Sequence, residues 1–207
     1  MKKENFTKIF SAGLFALILS AAPLAAAEDS VQEKGQAPMM DEAMMAKWKE
    51  YSTPNENHQV LGQFVGSWNY SLKWWMTPDG TPEESVGVSE AKWIMDGRFI
   101  EQNVQGQSMG QPFEGKQTIG YDNAKKEYIA TWFDNMGTGM MIANGEYDPA
   151  AQTFTQSGIM MCPFKGKMPF RWVTKIIDAD TYTFETYSAD DKGQEFRNME
   201  IVYKRNK

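Results

Sequence analysis

After Gly66 the chain alternates apolar and polar residues, and the same alternation recurs in short segments as far as the C-terminus. In the first segment Trp68, Tyr70, Leu72 and Trp74 alternate with polar residues, a period of two that is typical of a half-buried strand. The pattern predicts further strands near residues 85–95, 98–107, 113–122, 127–134, 139–147, 153–159, 169–177, 181–187 and 195–204. No helical pattern between them is long enough for a parallel crossover, so we expect antiparallel pairing.

Closure of the sheet is the second expectation. A flat meander of about ten strands would leave two exposed edges, and a barrel removes both. The sequence therefore predicts an all-β, antiparallel up-and-down barrel, with a two-sheet sandwich as the alternative. A barrel of that size can hold a ligand between its walls. The longest irregular loop is expected at residues 160–167.

The first residues have the order of a secretory signal. A basic start precedes an apolar run over residues 9–24, and three alanines end at Ala27. This order predicts a signal peptide over residues 1–27 that is cleaved after Ala27. The mature protein would then be exported, periplasmic or secreted, and no stable membrane anchor would remain after cleavage.

A helical segment is expected between the signal and the barrel. Residues 28–38 are polar and predict a flexible linker. Residues 39–64 contain good helix formers, and Met40, Met44 and Trp48 recur every four residues on one face. The predicted barrel domain then covers residues 65–207.

Short motifs along this domain resemble two known groups of proteins. Gly66-Ser67-Trp68 resembles the G-x-W signature of the lipocalin-like barrels, the calycins, in which the tryptophan closes one end of the barrel beneath a short helix. With His58-x-x-Leu61, Gly120-Tyr121-Asp122 and Trp132-x-Asp134, the chain is similar over about residues 55–205 to a bacterial family called domain of unknown function 1579. The resemblance implies a calycin-like barrel whose closed end carries His58, Leu61, Gly66 and Trp68. It implies no established activity and therefore no catalytic residue.

Composition excludes several kinds of site. The formal net charge is −6, which disfavours nucleic acid as a partner. Cys162 is the single cysteine and His58 the single histidine, so neither an internal disulfide nor a histidine-based zinc site can form. His58 precedes the first strand, where it is poorly placed for haem, and the abundant methionines are expected to fill apolar gaps rather than to bind copper. We therefore predict no cofactor and no metal.

Trp132 and Asp134 form the most site-like motif. They lie two residues apart on one strand and so share a face, where an aromatic wall with one carboxylate would suit a polar-headed ligand. A core tryptophan followed by a turn-opening aspartate is the alternative. Met136 and Met140 flank the next loop and are candidates for an adaptable apolar lining.

Charged residues on later strands are further candidates for lining a cavity. Arg171 and Glu185 could face each other inside the barrel, or form an ordinary pair on its outer surface. Arg98, which follows the Asp96-Gly97 turn, is a candidate of the same kind.

Three functional hypotheses remain open at this point. The first is an exported barrel that binds a small apolar or amphipathic molecule through a mouth near residues 135–139 and 160–167. The second is a hydrolase or isomerase that uses Asp134 with tyrosine or arginine neighbours. The third is an interaction protein whose barrel is filled by its own side chains.

Overall fold

The structure is a computed structural model that describes residues 41–207. The predicted signal peptide, the predicted linker and two methionines of the predicted helical segment, Met39 and Met40, lie outside the described residues. Within residues 41–207 no helix is both long enough and apolar enough to cross a membrane.

Ten antiparallel strands form one closed barrel, so the predicted fold class is confirmed and the sandwich alternative is wrong. Each strand pairs with its neighbours along the chain, and β1 closes the ring by pairing with β10. The elements are α1 (Glu42–Ser52), α2 (Glu56–Val60), a 3₁₀ helix (Leu61–Phe64), β1 (Gly66–Trp74), β2 (Glu83–Ile94), β3 (Phe99–Ser108), β4 (Gln111–Asp122), β5 (Glu127–Asp134), β6 (Met141–Asp148), β7 (Thr153–Cys162), β8 (Gly166–Asp178), β9 (Thr181–Ala189) and β10 (Glu195–Arg205).

A core of aromatic and aliphatic side chains fills one end of the barrel. Leu61 and Phe64 from the 3₁₀ helix enter this end and pack with side chains from the inward faces of the strands. The largest fully buried side chains are Trp68, Phe154, Leu61 and Ile100. This closed end removes most of the buried apolar surface from water and holds the strands in register.

Trp68 near the start of β1 and Arg205 at the end of β10 contact each other, and so link the first and last strands of the barrel. The Trp68 indole N–H donates to the Phe64 carbonyl at 2.8 Å, and the Arg205 guanidinium lies 4.1 Å above the indole ring. Arg205 also donates to the Val65 carbonyl at 2.7 Å. Gly66 has φ +126°, and a Cβ there would lie 2.5 Å from Arg205 Nη1, which explains why the strand begins with a glycine.

His58 is a buried part of this closed end. Its Nδ1 accepts a hydrogen bond from the Asn55 backbone N–H at 3.1 Å, within a capping box that begins α2. Burial lowers the pKa of His58, and the Arg98 charge adds to the effect against an opposing backbone hydrogen bond with Tyr121. The neutral imidazole is therefore the form that the fold favours.

The helix α1 is attached mainly through its C-terminal end. The Asn123 side-chain amide donates to the carbonyls of Glu50, Tyr51 and Thr53 at 3.1, 2.9 and 2.9 Å. No residue of α1 is buried, so the face shared by Met44 and Trp48 is exposed.

The prediction of a long irregular loop at residues 160–167 is wrong. β7 continues to Cys162 and β8 begins at Gly166, which leaves a turn of only residues 163–165. Met160 faces inward and Met161 is exposed, so the alternation continues through residues that have no strong strand preference of their own.

Candidate functional site

A cavity of about 450 Å³ occupies the barrel beyond the closed-end core. It opens at the end away from Trp68, near the β1–β2, β3–β4 and β5–β6 connections. Its lining is mainly aromatic and aliphatic and includes Leu72, Val104, Phe113, Trp132, Phe170, Trp172, Phe184 and Met199. The interior is therefore not filled by its own side chains.

Inward-facing glycines create part of this space. A Cβ at Gly87 or at Gly106 would overlap the Tyr70 hydroxyl, so the tyrosine ring lies against bare backbone of β2 and β3. In the same way the Trp132 ring lies against Gly115 on β4. These contacts hold large rings close to the wall and leave the centre of the barrel open.

Trp132 and Asp134 are held together at the mouth. The Trp132 indole N–H donates to Asp134 Oδ2 at 2.8 Å, and Asp134 Oδ1 accepts the Met136 backbone N–H at 3.0 Å. The Phe113 ring stacks near the indole, with 6.3 Å between the ring centroids. The carboxylate therefore fixes the indole and the start of the loop at once.

Three of the predicted lining residues lie at the cavity, and the place of a fourth is taken by the next residue in the sequence. Trp132, Asp134 and Met136 line it. Met140 does not, because its side chain is 59 % exposed. Met141 begins β6 opposite Trp132 and lines the cavity instead, since a shift of one residue along a strand reverses the face.

Arg171 and Glu185 lie on the outer surface, so the inward alternative for this pair is wrong. Arg171 sits opposite Tyr187 rather than Glu185, with its guanidinium 3.9 Å above the Tyr187 ring and its Nε donating to Glu195 at 3.1 Å. Glu185 accepts from the Tyr187 hydroxyl and from Arg197, each at 2.7 Å. The residue after Arg171, Trp172, and the residue before Glu185, Phe184, line the cavity instead.

Arg98 also lies outside the cavity. It follows the β2–β3 turn at the closed end, where it donates to the Ser52 carbonyl at 2.8 Å and to the Met95 carbonyl at 3.1 Å. It therefore anchors the end of α1 to the barrel, because its guanidinium reaches a carbonyl at the C-terminal end of that helix.

Polar side chains inside the cavity escaped the sequence prediction. Gln102 lies at an inward position of β3, and its amide nitrogen donates to Ser89 Oγ at 3.1 Å and to the Tyr182 hydroxyl at 3.0 Å. Gln156 on β7 donates to the Tyr128 carbonyl at 3.3 Å. Alternation could have identified both, because each takes an inward position between residues that face the core.

Burial keeps the tyrosines around this polar group protonated. It raises the pKa of Tyr182 well above its usual value and raises the pKa of Tyr128 to about 12, with the neighbouring Tyr121 and Tyr147 adding to the shift. Their hydroxyls are therefore neutral hydrogen-bonding groups at physiological pH. Within residues 41–207 no group of three or more His, Cys, Asp or Glu side chains is arranged to hold a metal ion.

Solved structures with a similar fold are distant in sequence. Rv2717c from M. tuberculosis has a TM-score of 0.52 at 13% identity, over 75% of this chain and 100% of that chain. The S-type phycobiliprotein lyase CPES from Guillardia theta has a TM-score of 0.52 at 9% identity, over 73% of this chain and 93% of that one. A designed fluorescence-activating β-barrel has a TM-score of 0.40 at 18% identity, over 71% and 97%.

No curated protein matches this chain. A family model does match it, over residues 53–205, which covers both the closed-end helices and every strand of the barrel. The resemblance carried by the short motifs is thereby confirmed, and the chain belongs to the family described as protein of unknown function DUF1579.

Proposed function

We propose that this protein is an exported barrel that binds a small apolar or amphipathic molecule. The observation that carries the proposal is the cavity of about 450 Å³, apolar in most of its lining, closed at the Trp68 end and open at the other. Small-molecule sites have volumes of roughly 300–1,000 Å³ with a few polar groups among apolar walls. Gln102, Gln156 and Asp134 are such polar groups.

The fold is compatible with this proposal. One protein with a similar barrel is a phycobiliprotein lyase, so the fold occurs in a protein whose function involves another molecule. At that level of identity the likeness concerns the fold alone, and the proposal for this chain rests on its own cavity.

Binding fits the geometry better than catalysis by Asp134. Both carboxylate oxygens already accept hydrogen bonds, from the Trp132 indole and from the Met136 backbone. In the part of the chain that the structure describes, the cavity lining includes no arginine, lysine or histidine that could act with Asp134. A carboxylate engaged in this way is suited to holding an indole in place rather than to abstracting a proton.

Binding of the uncharged dye Nile red tests the ligand proposal. We expect its emission to rise on binding, because the cavity is apolar. Leu72→Trp should block the cavity that Leu72 lines, whereas Val86→Trp on the exposed outer face of β2 should not. Circular dichroism establishes that both variants fold. Equal binding by the two variants, or no binding by the native protein, would overturn the proposal.

Small molecules released from the native protein provide a second test, which does not depend on a variant. We expect mass spectrometry of the denatured protein to detect a molecule that is absent from a Leu72→Trp preparation purified in the same way.

Export is a separate part of the proposal. Ala25 and Ala27 occupy the small-residue positions of a signal-peptidase site. N-terminal sequencing of the protein recovered outside the cytoplasm should therefore begin at Glu28. An exported form that retains Met1 would refute this part and leave the cavity untouched.

A further inference from the structure

The charged groups that line the cavity are all acidic. Glu83, Glu84 and Asp134 lie at its mouth, and among residues 41–207 no lysine, arginine or histidine is part of the lining. Glu84 has Lys73 at 3.6 Å on the outer side, whereas Glu83 and Asp134 have no basic partner among the described ion pairs closer than 4 Å. An anionic group that entered here would meet like charges at the mouth.

Three hydrogen-bond donors of the lining are used within the protein. The Trp132 indole N–H is given to Asp134, and both amide hydrogens of Gln102 go to Ser89 and Tyr182. The Thr186 hydroxyl donates to Asn198 Oδ1 at 2.5 Å. At Gln102 and Thr186 a guest therefore meets an amide oxygen and a hydroxyl oxygen as acceptors, and these favour a guest that donates hydrogen bonds.

Aromatic faces surround the same acidic mouth. Trp74 is the cross-strand neighbour of Glu83. The Trp132 indole is hydrogen-bonded to Asp134 and stacks near the Phe113 ring. Tryptophan faces attract cations, and the attraction grows where water is excluded. The carboxylates and the indoles thus both favour a positively charged group at the mouth.

We propose that the natural guest is an amphipathic amine, with an apolar chain in the cavity and a protonated ammonium head at the mouth. This inference rests on the proposed binding function and specifies the class of its ligand. The head would lie at the mouth, where it can donate hydrogen bonds to the Glu83 carboxylate and to the lone pairs that Asp134 retains beside the two bonds that it already accepts. Fatty acids, which have the same kind of chain with the opposite charge, are then poor ligands.

Displacement of Nile red by three ten-carbon competitors tests the inference. Decylamine, decanol and decanoate share their chain and differ in the head group. Near neutral pH we expect half-displacement by decylamine at a concentration at least about tenfold below that of decanoate, a ratio that corresponds to one decade in Kd, with decanol between them. Raising the salt concentration should narrow the ratio.

Neutral substitutions at the mouth should reduce the discrimination. Asp134→Asn and Glu83→Gln each remove one charge at nearly constant volume, and each should lower the decanoate-to-decylamine ratio by roughly threefold, as expected for charges screened near a protein surface. Glu90→Gln is the matched control, because it removes the same charge from the outer face of β2 and should leave the ratio unchanged.

The outcomes separate this inference from the function on which it rests. If Nile red binds but decanoate displaces it as well as decylamine does, the amine proposal is overturned and the binding proposal stands. The amine proposal also falls if Glu90→Gln lowers the ratio as much as Asp134→Asn, since the preference would then reflect net charge alone. If Nile red does not bind at all, both proposals fail.

Discussion

The Trp132 indole donates a hydrogen bond of 2.8 Å to the carboxylate of Asp134, two residues further along the same inward face of β5. The same carboxylate accepts the backbone N–H of Met136. One acidic side chain therefore sets the angle of an aromatic wall and the path of the loop that follows. Both residues line the cavity at its mouth, which makes the pair a suitable place to detect binding.

Replacement of Trp132 should report whether a guest sits at the mouth. We expect an apolar probe to quench tryptophan emission in the native protein, and Trp132→Phe to remove a measurable share of that quenching with the fold intact, since Trp74 and Trp172 also line the cavity. Trp48→Phe is the control, because Trp48 is exposed on α1 and does not line the cavity. Fluorescence titration measures both, and equal residual quenching in the two variants would contradict the placement of the guest.

Trp68 should contribute far more to stability than Trp75. Trp68 is 2 % exposed, with Arg205 above its ring, whereas Trp75 follows the end of β1 and is only partly buried. Truncation of a buried large aromatic typically costs about 3–5 kcal/mol, so Trp68→Ala should lower the free energy of unfolding by about that amount. Urea melts of Trp68→Ala and Trp75→Ala measure the free energy of unfolding of both variants. A similar loss in the two would show that the closed end is not the stabilising core.

The fold was predictable because alternation and the absence of crossover helices leave little choice. Trp68, Tyr70 and Leu72 alternate clearly, and Asp96-Gly97 marks a hairpin turn, so strand existence and antiparallel pairing follow from local signals. The missed ends of β7 and β8 have a physical reason. Met160 and Met161 carry weak intrinsic strand preference, and pairing with Met168 and Lys167 decides their conformation.

The site was predictable only where a motif lay on one strand. Trp132 and Asp134 needed no knowledge of neighbouring strands, whereas Arg171 and Glu185 required the register between β8 and β9. A one-residue error at the start of β6 exchanges the inner and outer faces and favours Met140 over Met141. The register of β8 and β9 places Arg171 opposite Tyr187, two residues from Glu185, and keeps both charged residues on the outer face. For Gln102 alternation indicates the inward face, but an uncharged amide does not mark that position as part of a site.

His58 should make stability depend on pH in a defined direction. Its pKa is lowered in the folded state, so the unfolded chain binds the proton more readily. Its contribution is then fully present above the ordinary value of 6.5 and is lost as pH falls through that value. Protonation would also remove the Nδ1 acceptor that the Asn55 backbone N–H uses. Urea melts between pH 7.5 and 5.5 should therefore show a falling free energy of unfolding.

His58→Gln provides the control for this effect. His58 is the only histidine in the chain, and glutamine does not titrate. The variant should be less stable at pH 7.5 but should lose less further stability on acidification. A variant whose pH profile parallels that of the native protein would assign the effect to carboxylates instead.

Gly106 should be required for the position of Tyr70 and hence for the width of the cavity. A Cβ at residue 106 would overlap the Tyr70 hydroxyl and approach the Val86 carbonyl to 3.2 Å. Overpacking of this kind costs roughly 1–3 kcal/mol, so Gly106→Ala should lower the free energy of unfolding by that amount. It should also weaken Nile red binding, because the displaced ring moves into the space that it now borders. Gly139→Ala, whose Cβ would meet nothing within 4 Å, should change neither quantity.

A double-mutant cycle with Tyr70→Phe tests the cause of this effect. Removal of the hydroxyl takes away the atom that the new Cβ would overlap and leaves the ring carbon Cζ at 3.3 Å. Gly106→Ala should therefore cost less stability in the Tyr70→Phe background than in the native one, and Nile red binding should recover in the same variant. Residues that touch commonly show coupling of about 0.5–3 kcal/mol. If the two substitutions change the free energy of unfolding additively in urea melts, Gly106 is required by the backbone of β3 rather than by the Tyr70 ring. The width of the cavity would then depend on other contacts.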